Sequence, residues 1–135
     1  MADNEDDAQT PIQCKVVLLG ESGVGKTSII ARYVTSTFST SMNSTAGANF
    51  TTKTVYLEDE KKTIKYQIWD TAVQESYRSL NKVFYQKASV CILVYEITKK
   101  ATFEELKKYW IQEIKNNSGN NISKKNFLIN YIYLF

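Results

Sequence analysis

The 135-residue sequence predicts a three-layer α/β fold with a mainly parallel sheet and one antiparallel hairpin strand. A glycine-rich segment at residues 20–27 lies between an apolar run of strand length and a stretch with helical spacing. Two alternating segments, separated by a short charged turn, predict a hairpin. A continuous apolar run at 88–95 is suited to a strand buried on both faces. This alternation of strands and helices is typical of a parallel sheet covered by helices.

The individual elements follow from local patterns. The first ten residues hold four acidic side chains and no basic one, so residues 1–10 are predicted to form a disordered tail before a single domain at 11–135. Hydrophobic periodicity predicts strands at about 13–19, 50–57, 63–69, 88–95 and 126–129. It predicts helices at about 26–36, 75–87 and 102–116. Thr102 is the expected N-cap of the last helix because Glu105 follows three residues later, as in a capping box.

Composition limits the class of protein. Hydrophobic and charged residues make up 43% and 23% of the chain, as in ordinary globular domains, and the net charge is +3. The lysine groups lack interleaved aromatic residues, which disfavours nucleic-acid binding. Cys14 and Cys91 lie in apolar runs and indicate buried thiols in a reducing compartment, while the absence of histidine disfavours a zinc site. No signal peptide, spanning segment or C-terminal prenylation cysteine occurs, so we expect a cytoplasmic chain without a lipid anchor.

Residues 20–27, Gly-Glu-Ser-Gly-Val-Gly-Lys-Thr, match the pattern G-x-x-x-x-G-K-[ST]. In such a loop the backbone N–H groups converge on a phosphate chain, and the start of the following helix adds positive charge. Lys26 would then contact the outer phosphates, and the Thr27 hydroxyl would ligate Mg²⁺. A glycine-rich surface turn could match by accident, but the predicted strand and helix on either side disfavour that reading. The segment predicts a P-loop NTPase fold that binds a nucleoside polyphosphate.

The segment Asp70–Glu75, Asp-Thr-Ala-Val-Gln-Glu, resembles the corresponding motif of the Ras superfamily of small GTPases, most closely its Rab branch. Five further segments support the resemblance, in the family's order: residues 45–50, 65–70, 76–80, 84–88 and 93–98. The likeness runs from about residue 12 to about residue 116. It implies a molecular switch of vesicular traffic that binds GDP and GTP with Mg²⁺ and hydrolyses GTP. It also implies exchange factors, GTPase-activating proteins and effectors as partners, and a full-length parent on an endomembrane surface.

The resemblance assigns roles to individual residues. Nucleotide binding is assigned to Glu21, Ser22, Gly23, Val24, Gly25, Lys26, Thr27, Ser28, Phe38, Thr45 and Val73. Thr27 and Thr45 would ligate Mg²⁺, which Asp70 would reach through water. Gln74 would orient the attacking water and act in catalysis together with Lys26. The loops at about 37–48 and 70–80 correspond to the two switches.

Aromatic residues near the switches have two readings each. The resemblance implies that Phe38 packs against the guanine base, although it could simply anchor the end of the first helix. Phe50, Trp69 and Phe84 match the aromatic set with which Rab proteins contact effectors. Each of the three also suits a hydrophobic core, and Trp69 taken alone fits the core better. As a group they favour a partner surface.

Two departures from the family pattern affect the predicted function. Val73 stands where the family has glycine, and its branched side chain disfavours the conformational freedom that switch II needs. We therefore expect impaired GTP hydrolysis with GDP binding retained. The family's guanine-reading segment, Asn-Lys-x-Asp, does not follow the fifth strand, where Asn130 is followed by neither lysine nor aspartate. The last strand and the last two helices of the family's domain are also missing, so we expect a truncated domain with little preference for guanine over adenine.

The predicted truncation leaves an apolar edge at residues 127–135 without a covering element. We therefore expect self-association, for example as a dimer, or low stability. The alternative function is a Rab-like interaction module, or pseudo-GTPase, that does not cycle or bind nucleotide tightly. A P-loop kinase or ATPase is a third possibility, which the segment at 70–75 disfavours.

Overall fold

A computed structural model of the protein describes residues 10–36, 48–71, 86–117 and 127–132. The strands are β1 (Ile12–Leu19), β2 (Ala48–Leu57), β3 (Lys62–Thr71), β4 (Val90–Glu96) and β5 (Phe127–Ile132). The helices are α1 (Lys26–Thr35), α2 (Lys100–Glu105) and α3 (Ile111–Asn117), and a π-helical segment (Leu106–Trp110) joins α2 to α3. The acidic tail, most of both predicted switch loops and nearly all of the helix predicted at 75–87 lie outside the described residues.

The strands form one five-stranded sheet in the order β2-β3-β1-β4-β5. β1 pairs in parallel with both β3 and β4, and β4 pairs in parallel with β5. β2 pairs antiparallel with β3, in the hairpin that the alternating segments predict. The predicted mainly parallel sheet with one antiparallel strand is therefore confirmed. Its central strand, β1, leads directly into the glycine-rich segment.

Side chains of β1 alternate between two hydrophobic clusters on opposite faces of the sheet, because successive residues of a strand point to opposite sides. Val17 and Leu19 pack with Trp110 and Ile114 of the helical run at 100–117. Val16 and Leu18 belong to the cluster on the α1 side, which contains the following residues of the loop, α1, β3 and β4: Val24, Ile30, Ile68 and Val94. Both faces of the central strand are buried, as expected for a sheet between helical layers.

The face of the sheet next to α1 carries an apolar groove of about 370 Å³. Ile29 and Tyr33 line it from the helix, and Tyr66 and Ile92 line it from the sheet. Tyr33 is 47% exposed, so part of this aromatic and aliphatic surface faces solvent.

The predicted N-cap at Thr102 is wrong. The helix begins two residues earlier at Lys100, with Lys99 at the N-cap position, and Thr102 lies within the first turn. The Thr102 hydroxyl accepts a hydrogen bond from the N–H of Glu96 (2.9 Å) and lies 2.8 Å from the carbonyl oxygen of Lys99, to which it donates. The side chain thus fastens the helix to the end of β4, a contact between elements that the capping pattern does not reveal.

The sequence predicts one amphipathic helix at about 102–116, but the structure inserts a π-helical turn at Leu106–Trp110. Its buried side chains, Thr102, Leu106, Trp110 and Ile114, recur every four residues. In a regular α-helix of 3.6 residues per turn, this spacing drifts by about 40° per step, or about 120° over the run. A wider π turn reduces that drift and keeps the four side chains toward the sheet. Within the described residues, no helix is both long enough and apolar enough to cross a membrane.

Candidate phosphate-binding site

The backbone between β1 and α1 takes conformations that favour glycine. Gly20 and Gly25 have φ values of 152° and 98°. A Cβ atom on Gly20 would lie 2.1 Å from the carbonyl oxygen of Val94, so the loop runs directly against the backbone of β4. Gly25 is the N-cap of α1, which places the positive end of the helix dipole at the loop. The loop therefore packs closely against β4, and its backbone is left-handed at Gly25, where the positive end of the α1 dipole lies. These features favour phosphate binding.

Lys26, the first residue of α1, is 5% exposed and turns back over the loop. Its Nζ donates hydrogen bonds to the carbonyl oxygens of Gly20 (2.9 Å) and Glu21 (2.8 Å). Burial lowers the pKa of Lys26 to about 8, and the negative charges of Asp70 and Glu21 oppose this shift. The ammonium is thus held at the loop with two neutral carbonyl oxygens as acceptors.

Thr27 and Asp70 bring oxygen atoms from α1 and β3 to the same place. The Thr27 hydroxyl donates a hydrogen bond to Asp70 Oδ2, and the Asp70 residue is 5% exposed. The neighbouring Thr71 hydroxyl donates to the carbonyl oxygen of Leu18 (2.8 Å) and ties this end of β3 to β1. Hydroxyl and carboxylate oxygens are the donors that Mg²⁺ prefers, usually with phosphate oxygens and water completing its shell. The pair fits a magnesium site next to a phosphate loop.

Within the described residues, no group of three or more aspartate, glutamate, histidine or cysteine side chains is placed so that it could hold a metal ion.

The structure brings together the predicted nucleotide-binding residues from Glu21 to Ser28 in the loop and the first turn of α1. Val24 is 1% exposed and packs in the core on the α1 side, so its side chain anchors the loop. The other predicted residues of the nucleotide site, Phe38, Thr45, Val73 and Gln74, lie outside the described residues. Their assigned roles stay predictions.

Two of the three predicted effector-surface aromatics lie together. Phe50 of β2 and Trp69 of β3 stack with ring centroids 5.0 Å apart and an interplanar angle of 24°. Phe50 is 53% exposed, whereas Trp69 is partly buried against the core beneath it. The Nζ of Lys15 lies 5.1 Å from the Trp69 ring centroid. Trp69 therefore packs against the core, and the effector-contact role of Phe50 and Trp69 stays a prediction. Phe84 lies outside the described residues.

Sequence reasoning missed one residue at the loop. Trp110, at the end of the π-helical segment, is fully buried, and its Nε1 donates to Glu21 Oε1 at 3.4 Å. The signal that could have revealed it is the strict four-residue spacing of the buried positions from Thr102 to Ile114, which a regular α-helix does not satisfy.

Comparisons with known proteins agree with this geometry. A sequence model of the Ras family matches residues 15–129. Ras-related protein Rab-11A of Dictyostelium discoideum is 44% identical over 108 residues, which cover 80% of this chain and 49% of that protein. Ras-related protein RABA2b of Arabidopsis thaliana is 42% identical over 119 residues, covering 88% of this chain and 54% of the relative. Ras-related protein Rab2BV of Beta vulgaris is 41% identical over 119 residues, with the same two coverages.

The chain spans about half the length of these curated relatives. The matched region includes the phosphate loop, the pair formed by Thr27 and Asp70, and all of β2, β3 and β4. Sequence likeness and loop geometry thus lead to one assignment: the chain belongs to the Ras family and is a Rab-type small GTPase.

Proposed function

We propose that the chain binds GDP and GTP with Mg²⁺ and serves as the nucleotide-binding part of a Rab-type switch in vesicular traffic. The observation that carries this proposal is the position of Lys26. Its buried ammonium rests on two carbonyl oxygens of the loop, 2.8 and 2.9 Å away, beside the Thr27–Asp70 pair. Phosphate oxygens are charged acceptors and bind an ammonium more strongly than carbonyl oxygens do. A polyphosphate at the loop would therefore improve the electrostatic surroundings of Lys26.

Each residue of the site would then have a separate role. The backbone N–H groups of the loop and the start of α1 would bind the phosphates, and Lys26 would neutralise the outer ones. Thr27 and Asp70, together with Thr45, would hold Mg²⁺, which when bound stabilises the charge on the phosphate oxygens. Gln74 would orient the water that attacks the terminal phosphate of GTP.

Binding is tested by isothermal titration calorimetry of the 135-residue chain with Mg·GDP. We expect saturable binding that Lys26→Met weakens by at least about 100-fold, since it removes charge-assisted hydrogen bonds of about 1.5–3 kcal/mol each. Lys115→Met, which removes an exposed lysine of α3, is the matched control and should leave the affinity unchanged. The absence of binding by the folded, unmodified chain would contradict the proposal.

Base selectivity is a separate part of the proposal. The 135 residues contain no Asn-Lys-x-Asp segment, whose aspartate would accept hydrogen bonds from guanine. We propose that this chain distinguishes Mg·GDP from Mg·ADP poorly. A preference for GDP of more than about 100-fold in the same titration would contradict this point, because it would require the discrimination that a site built to hydrogen-bond the base provides.

Hydrolysis is proposed to be slow because of Val73. A β-branched residue at this position disfavours the backbone freedom with which switch II would meet the terminal phosphate. In single-turnover measurements, Val73→Gly should hydrolyse bound GTP faster than the unmodified chain, while both should bind GDP alike. Equal hydrolysis rates would show that valine is no obstacle.

The second candidate function is an interaction module that engages Rab effectors and regulators without cycling. The stacked pair of Phe50 and Trp69, with Phe50 53% exposed, favours a partner-binding surface that does not itself need nucleotide. Mass spectrometry of the purified, folded chain separates the two functions. Co-purifying GDP supports the switch, and a folded chain without nucleotide supports the module. In either case we place the full-length protein on an endomembrane surface.

A further inference from the structure

A tryptophan from the opposite side of the loop contacts the phosphate-binding segment. Trp110 is fully buried, and its indole Nε1 donates to Oε1 of Glu21 at 3.4 Å. Glu21 is half-buried and lies in the loop, where its backbone carbonyl accepts from Lys26 Nζ at 2.8 Å. Glu21 thus accepts one hydrogen bond from Lys26 with its backbone oxygen and one from Trp110 with its carboxylate. This links Lys26 to the helical run through Glu21.

The π-helical segment supports this contact. Trp110 is its last residue, and Tyr109 next to it packs edge-to-face on the indole, with ring centroids 4.9 Å apart and an interplanar angle of 80°. The wider turn lets Trp110 share a buried face with Leu106 and Ile114. The ring contact with Tyr109 and the packing in the core restrict the direction of the indole N–H. The carboxylate of Glu21 therefore meets a donor whose direction is restricted.

A carboxylate in this loop opposes phosphate binding unless it is kept away from the phosphates. The negative charge of Glu21 already acts on Lys26, the residue proposed to neutralise the phosphates. A carboxylate that turned toward Lys26 would pair with the ammonium and repel the phosphate chain. The indole N–H instead binds this carboxylate on the side of the helical run. This hydrogen bond disfavours rotation of the Glu21 carboxylate toward Lys26.

We propose that Trp110 is a positioning residue, which holds the Glu21 carboxylate away from the phosphates and so prevents this carboxylate from pairing with Lys26. This rests on the proposed function, nucleotide binding at the loop. The role is specific: it depends on the indole N–H and on the charge of Glu21, not on the bulk of the ring. Its effect should therefore vanish when either of these two groups is removed.

A double-mutant cycle tests the inference with the 135-residue chain and Mg·GDP. Trp110→Phe keeps an aromatic ring and removes the N–H, and we expect the affinity to fall about fivefold, as for loss of one weak hydrogen bond to a charged group. Glu21→Gln should raise the affinity, because it removes the negative charge. In the Glu21→Gln background, Trp110→Phe should change the affinity less than twofold. Lys108→Gln, at an exposed position of the same segment, is the matched control and should leave the affinity unchanged.

An equal loss from Trp110→Phe in both backgrounds would overturn the inference, because it would mean that only packing of the ring matters. The midpoint of thermal unfolding of each variant separates the two effects further. A packing defect lowers this midpoint in both backgrounds, whereas the positioning role predicts an affinity change that depends on Glu21.

A second measurement does not depend on nucleotide. Trp69→Phe leaves Trp110 as the single tryptophan, so the indole N–H resonance of Trp110 is identified directly by ¹⁵N NMR. We expect Glu21→Gln to shift this resonance in the nucleotide-free chain, because the acceptor loses its charge. A resonance that stays fixed overturns the contact itself. In contrast, a chain that shows the shift but binds no Mg·GDP refutes the proposed function, so the two failures are distinguishable.

Discussion

Lys26 carries a charge that burial makes costly in the nucleotide-free chain. Its pKa is lowered from 10.5 to about 8, mainly by burial, so near neutral pH the ammonium persists in a site that disfavours it. Between about pH 8 and 10.5 the unfolded chain keeps a proton that the folded chain has lost. The contribution of Lys26 to the free energy of unfolding therefore increases as the pH rises through this window. A bound phosphate would reverse the preference by favouring the charged form.

The first prediction concerns the pH dependence of nucleotide affinity. Binding of Mg·GDP should be strongest below about pH 8 and should weaken as the pH rises above it, because the free chain must then take up a proton at Lys26. The expected slope approaches tenfold per pH unit, as for one linked proton. Calorimetric titrations from about pH 7 to about pH 9, which is about one unit either side of the pKa of about 8, check it. Lys26→Met should bind weakly with no such slope, and the same slope in that variant would contradict the assignment.

The second prediction concerns the close approach of the loop to β4. Gly20→Ala should lower the free energy of unfolding by about 2–4 kcal/mol, since its Cβ would meet the Val94 carbonyl oxygen at 2.1 Å and its φ is 152°. Gly23→Ala is the matched control, because Gly23 also has a positive φ, 79°, but has nothing within 4 Å of an added Cβ. Its cost should be about 1–2 kcal/mol, from backbone strain alone. Urea unfolding without nucleotide measures both, and equal losses would show that the approach to Val94 is not decisive.

At the scale of elements, Thr102 supports the third prediction. Its hydroxyl joins the first turn of α2 to the end of β4 by accepting from the N–H of Glu96, and it also donates to the carbonyl oxygen of the N-cap residue Lys99. Thr102→Val keeps the shape and removes both hydrogen bonds, so the free energy of unfolding should fall by about 1–3 kcal/mol. Thr98→Val removes an exposed hydroxyl that donates to the Glu96 carboxylate at 2.7 Å, and its effect should stay within about 0.5 kcal/mol. Similar losses for the two variants would contradict the proposed role of Thr102.

Two parts of the fold, the unit of β1, loop and α1 and the helical run at 100–117, show where prediction from the sequence succeeds and where it fails. The unit of β1, loop and α1 was predicted within one residue at each boundary, because periodicity and a motif agree there. Thr102 was misplaced because a threonine followed by glutamate three residues on can equally bond to a neighbouring strand. The π turn was missed because the side-chain pattern alone does not show which helix turn will widen to satisfy packing.

At the scale of the whole molecule, the position of the glycine-rich loop between β1 and α1 follows from the sequence, because the motif is continuous, while the nucleotide-binding role of its residues stays a prediction. The hydrogen bond between Thr27 and Asp70 joins residues that are 43 positions apart, and only the resemblance to the Ras superfamily predicts that they lie together. The contact between Trp110 and Glu21 joins residues 89 positions apart, and no motif contains both. Long-range contacts of this kind depend on sheet order and helix register, which a single sequence specifies weakly. The roles of Val73 and Gln74 stay predictions.

The last prediction is self-association of the 135-residue chain. β5 is the last strand in the order β2-β3-β1-β4-β5 of the described sheet, and a strand at the edge of a sheet is a template for pairing with another chain. The apolar groove of about 370 Å³ between α1 and the sheet adds exposed hydrophobic surface.

Both features favour association of two copies, and sedimentation at micromolar concentration should give a mass above the 15.5 kDa of one chain. Ile29→Glu places a charge in the groove and should shift the chain toward monomer, because burial of an unpaired carboxylate disfavours the interface. Ile97→Glu, at a position that is 43% exposed and does not line the groove, is the matched control and should leave the distribution unchanged. A chain that sediments as a monomer before any substitution would contradict the prediction. Association that persists with Ile29→Glu would instead assign it to the β5 edge.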